Sequence, residues 1–100
     1  MCHIFASQDP SNYAHETRSV RLSGVVTSVR LEAKFWTVLE DLAQSQKMTV
    51  PQFLSSLYQE VIEVYGEVPN FASLLRCCCL NYLLPGFEKG SLHKVVRQVA

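Results

Sequence analysis

Residues 27–54 begin Thr27-Ser28-Val29-Arg30-Leu31-Glu32-Ala33-Lys34-Phe35-Trp36. They continue through a helical pattern to Lys47-Met48, then restart as Thr49-Val50-Pro51-Gln52-Phe53-Leu54. The first residues alternate with period two, which places Thr27, Val29 and Leu31 on one face and Val26, Ser28 and Arg30 on the other. Leu31 leads into a helix, so its face is the core face. One such strand is too short to form a stable sheet, because an isolated ribbon is marginal in water. It needs a partner strand, and the simplest source is a second copy of the chain.

Just upstream, residues 17–31 hold a small internal echo: Ser19-Val20-Arg21-Leu22 and Ser28-Val29-Arg30-Leu31 are the same four letters, nine residues apart. Chance explains such an echo as readily as design, since short strands share residue types. Ser23-Gly24 between the two is a plausible tight connection, with Gly supplying a positive φ. Two arrangements therefore compete for the first copy: a hairpin that folds back, or an extended arm along a neighbour or along DNA. A two-stranded ribbon with one face on helices leaves the other face free, and the DNA major groove accepts that shape.

Downstream, Phe35, Leu39, Leu42 and Ala43 recur at helical spacing, widened by Trp36 and Val38, and predict a helix over about 33–46. Glu32 at its start suits the helix dipole. Thr49 with Gln52 is a capping-box pattern that opens a second helix, and Pro51 fits its first turn. Phe53, Leu54, Leu57, Tyr58, Val61, Ile62 and Tyr65 make an apolar stripe broader than one partner helix needs. Gly66 terminates it. Asn70 is a natural N-cap for a third helix to about Leu84, closed by Pro85-Gly86. Leu92, Val95, Val96 and Val99 suggest a last short helix. The expected organisation is an arm over 1–16, a domain over 17–84 and a tail over 85–100.

The chain has 100 residues, enough for one small domain, and 48% of them are hydrophobic. That is generous for a monomer of this size and favours dimerisation. Nine basic and nine acidic residues cancel, which weighs against nucleic-acid binding. The distribution is mildly asymmetric: Arg18, Arg21, Arg30 and Lys34 lie early, while Glu40, Asp41, Glu60, Glu63 and Glu67 come later. The four cysteines, Cys2 and the run Cys77-Cys78-Cys79, show no disulfide spacing. Consecutive residues on a helix point about 100° apart, so the three cannot converge on one metal. Buried small hydrophobes are the expected role. No secretory signal opens the sequence, and the expected compartment is reducing and cytoplasmic. The apolar stretch 71–84 is too short to span a membrane and carries Arg76 and Asn81.

From Arg18 to about Leu83 the sequence resembles the ribbon-helix-helix superfamily, in particular a bacterial subgroup. The residues that carry the resemblance are Gly24, Thr27-Ser28-Val29-Arg30-Leu31-Glu32, Phe35-Trp36 and Leu39, followed by Asn70-Phe71-Ala72-Ser73-Leu74-Leu75-Arg76. The resemblance implies a mainly α fold with a short β ribbon, built as an intertwined homodimer whose strands pair between protomers. It implies a DNA-binding transcriptional regulator, most simply a repressor, that inserts the ribbon into the major groove. Carried over by position, Val26, Ser28 and Arg30 face the groove, and Thr49, Val50 and Gln52 sit at a phosphate-binding helix start. Arg bonds guanine O6 and N7 in bidentate fashion, and Ser serves several bases. Arg18, Arg21 and Lys34 are the further DNA-contact candidates.

No Gly-rich phosphate loop, G-x-S-x-G, H-E-x-x-H or acid/base carboxylate pair is present, so the reading is not an enzyme and needs no cofactor. Two other classes stay open. One is a dimeric module that binds a protein partner, favoured by the neutral charge. The other is a thiol or metal sensor.

Overall fold

The structure is a computed structural model and describes residues 2–84. The elements run α1 (Cys2–Ala6), a 3-10 turn at Pro10–Asn12, β1 (His15–Leu22), β2 (Val25–Glu32), α2 (Ala33–Ser45), α3 (Val50–Tyr65) and α4 (Phe71–Leu83). The closing Pro85-Gly86 and the expected last helix over 91–100 lie outside the described residues.

β1 and β2 form an antiparallel hairpin in register from Leu22 opposite Val25 to His15 opposite Glu32. Its connection is the two residues Ser23 (φ 52°) and Gly24 (φ 82°), both left-handed. Positive φ at both central positions is what a type I′ turn requires, and its twist matches that of the strands. The hairpin, one of the two arrangements the sequence allowed, is the one formed. The ribbon thus closes inside one chain, where the resemblance implied pairing between two. The physical reason is proximity: a two-residue loop brings a matching strand alongside at very small entropic cost. At the open end, Ala33 N–H donates to Ala14 O at 2.8 Å.

The segment expected as an arm over 1–16 holds α1, a 3-10 turn and the start of β1. Asp9 caps the 3-10 turn by accepting from Ser11 N–H at 3.0 Å, and β1 starts at His15.

α2 ends in a Schellman motif, in which Met48 N–H bonds Ala43 O and Lys47 N–H bonds Gln44 O, each at 2.9 Å. Lys47 occupies the left-handed position (φ 59°) that glycine usually takes. α3 has its full capping box: Thr49 Oγ1 accepts from Gln52 N–H, and Gln52 Oε1 accepts from Thr49 N–H. It stops at Gly66, also left-handed. Asn70 caps α4 by accepting from Ser73 N–H at 3.1 Å.

The helices cover one face of the ribbon. Val20, Leu22, Val29 and Leu31 point into a core with Trp36, Leu39, Leu42, Leu54, Leu57, Val61, Leu75, Cys78 and Cys79. Thr27 shares that ribbon face but lies toward the hairpin tip and stays exposed. Each fully buried leucine contributes roughly 1.5–3 kcal/mol relative to exposure. Trp36, which widens the apolar stripe of α2, is buried in this core at 1% exposure. Tyr58 and Phe71 meet edge to face at 5.4 Å and join α3 to α4.

Candidate nucleic-acid interface

The register fixes what the free face of the ribbon presents. Opposite the core face lie Thr17, Ser19 and Arg21 from β1 and Val26, Ser28 and Arg30 from β2, all exposed. Ser19 stands opposite Ser28, Arg21 opposite Val26 and Thr17 opposite Arg30. Two guanidinium groups and no carboxylate occupy these six positions. Arg21 Nη1 donates to Gly24 O at 3.2 Å, across the hairpin tip. The Arg30 side chain makes no hydrogen bond or ion pair among the described residues. The strands lie about 5 Å apart, so the ribbon fits a groove about 12 Å wide.

Val26, Ser28, Arg30 and Arg21, all singled out from sequence, come together on this face. Thr17 and Ser19 complete it and escaped the sequence reading. The signal that locates them was present: with the turn at Ser23-Gly24, the echo necessarily sets Ser19 against Ser28.

Arg18 lies elsewhere. It is on the helix-facing side of β1, with its guanidinium 4.5 Å from the centre of the Trp36 ring. It donates to the Glu16 and Glu40 carboxylates, and those two charges outweigh its partial burial and raise its pKa. Lys34 is exposed in the first turn of α2. At the start of α3, Thr49 and Gln52 spend their side chains and amides on each other. Pro51 has no N–H, so Val50 N–H is the one first-turn donor left for an anion. Beside the hairpin tip, Ser23 Oγ donates to Gln59 Oε1 at 3.1 Å in an open groove of about 700 Å³ that also includes Arg21, Gln52 and Glu60.

Beyond the six positions, the ribbon ends in an ionic cluster. Glu32 accepts from Arg76 Nε at 3.0 Å and lies 3.8 Å from His15 Nε2. Its own backbone N–H, then Arg76 and His15, hold its carboxyl below the usual carboxylate range.

Cys78 and Cys79 are buried, which pushes each thiol up to about 12, whereas Cys77 is exposed. Among the described residues no three His, Cys, Asp or Glu side chains are grouped to hold a metal. No described helix is long and apolar enough to cross a membrane.

A hairpin carrying an exposed basic-polar face, followed by two helices joined through a capping box, defines a class. Residues 15–83 match the family of the ribbon-helix-helix domain, and the chain belongs to that family. The match runs from the first residue of β1 to the last of α4, so the first strand and the third long helix are parts of the family unit and not additions to it. Among solved structures, an uncharacterized protein from Bordetella pertussis Tohama I is similar, with 44% sequence identity and a TM-score of 0.81. The similarity covers 86% of this chain and 74% of that one. No curated protein matches.

Proposed function

We propose that this chain is a sequence-specific DNA-binding transcriptional regulator, most simply a repressor, that acts in the cytoplasm and reads the major groove with the outer face of its ribbon. One observation carries this reading: Arg30 is exposed beside Ser28, on a face backed by packed core residues, and none of the six central positions of that face carries a carboxylate. A guanidinium without an internal partner is available for bidentate bonding to guanine, and the packed hairpin holds it in place. The family points the same way. A homodimer, also expected from the family, would carry two such ribbons.

The test is an electrophoretic shift with the DNA upstream of the chain's own gene at low, stated salt. The expected result is retardation by the wild type and a loss of about 1–3 kcal/mol in Arg30→Ala. Equal binding by the variant removes ribbon readout.

A second reading has its own support. The net charge is zero, and the start of α3 caps itself. Both weaken phosphate contact and favour a module whose ribbon face docks a protein partner. Absence of any retardation at low salt selects this reading.

A further inference from the structure

The outer face of the hairpin has an approximate two-fold axis. An antiparallel ribbon centred on a directly opposed pair is symmetric about the normal through that pair. Here the central pair is Ser19 and Ser28. The axis relates Arg21 to Arg30, each two residues beyond a central serine, and Thr17 to Val26, each two residues before one. Thr and Val have nearly the same shape, and either can set a methyl group against a thymine methyl. The two triplets, Thr17-Ser19-Arg21 and Val26-Ser28-Arg30, are thus near copies. The same axis relates Val20 to Val29 and Leu22 to Leu31 on the buried face. The nine-residue echo is therefore the sequence form of a symmetric ribbon.

We propose that a single chain is the reading unit of the ribbon. Its ligand is a double-stranded DNA element with local two-fold symmetry, and Arg21 and Arg30 contact guanines related by that symmetry. The proposal rests on the DNA-binding reading above and adds Thr17, Ser19 and Arg21 as specificity residues. The two arginines are four residues apart along the ribbon axis, or roughly 13 Å at the rise of a strand, which equals about four base-pair steps. The contacted guanines then lie on opposite strands of the duplex, one in each half of the element. A ribbon exchanged between two chains would instead pair β2 with its own copy, and both contacts would come from Arg30.

Selection of bound sequences from a randomised duplex pool, followed by titration of single-base variants, separates these cases. The wild type should enrich a symmetric element with two guanine positions. Arg21→Ala and Arg30→Ala should each keep one of those positions and lose discrimination at the other by roughly 5- to 150-fold. Both side chains are exposed, so neither substitution disturbs the core. If Arg30→Ala loses both positions and Arg21→Ala loses neither, the strands are exchanged between chains; the single-chain inference is then wrong while DNA reading stands. An asymmetric element with one guanine position also overturns it. A wild-type chain that enriches nothing at low salt overturns the DNA reading itself, and this inference with it.

Discussion

The indole N–H of Trp36 donates to the main-chain carbonyl of Glu16 at 2.8 Å and so ties α2 to β1, the strand that completes the ribbon. Trp36 is the only tryptophan of the chain and is almost fully buried. Trp36→Phe keeps an aromatic ring but leaves that carbonyl without its donor. The bond is partly buried, and losing such a hydrogen bond costs about 0.5–1.5 kcal/mol. Urea denaturation followed by circular dichroism should show a loss in that range, and Trp36→Ala should lose about 3–5 kcal/mol. A Trp36→Phe protein as stable as wild type would mean the bond contributes nothing to the docking of α2.

The left-handed Lys47 is a position where the fold accepts backbone strain. Lys47→Gly should stabilise the protein by about 0.5–1 kcal/mol, because only glycine adopts this conformation without steric cost. The readout is the denaturation midpoint at constant slope. A fall in midpoint would show that the Lys47 side chain contributes more than its backbone costs.

Glu32 should make stability depend on acid. Its folded-state pKa lies below the unfolded value, so its contribution is present above the unfolded pKa of about 4.3 and is lost as pH falls toward the folded one. The group is partly exposed, so the effect is modest. Between about pH 6 and about pH 3, Glu32→Gln should lose less stability than wild type. Identical losses would show that the Arg76 and His15 contacts do not stabilise the ionised form.

Thiol labelling should separate the three adjacent cysteines. Cys77 is exposed, whereas Cys78 and Cys79 are buried with thiols near 12. Thiolate is the reacting form, so at neutral pH an alkylating reagent should modify Cys77 and spare the other two until the protein unfolds. Peptide mass mapping reads this directly, and equal labelling of all three in the folded protein would contradict the packing of α4.

The sequence carried α2, α3 and α4 almost to the residue, because their ends are written in local chemistry. The Thr49–Gln52 capping box, Gly66 and the Asn70 cap all act within a few residues of themselves. The end of α2 was less legible, since the motif places a lysine where a glycine is usual. The two faces of β2 followed from alternation, and Val29 and Leu31 are buried while Arg30 is not. What alternation could not decide was the partner of that strand, because pairing depends on which segment reaches it first. Ser23-Gly24 held the answer, but only as one of two options. Arg18 shows the remaining gap. Glu16 lies two residues away on the same strand, but Trp36 and Glu40 come from α2, and no local pattern announces that this helix engages the guanidinium.

A ribbon made from two different segments of one chain is encoded twice over. In a ribbon built from two identical strands, any change on the free face appears in both halves at once. Here Thr17 and Val26, or Arg21 and Arg30, occupy separate codons. One half of the face can therefore change while the other is kept, and a surface that began symmetric can drift toward an asymmetric target one position at a time.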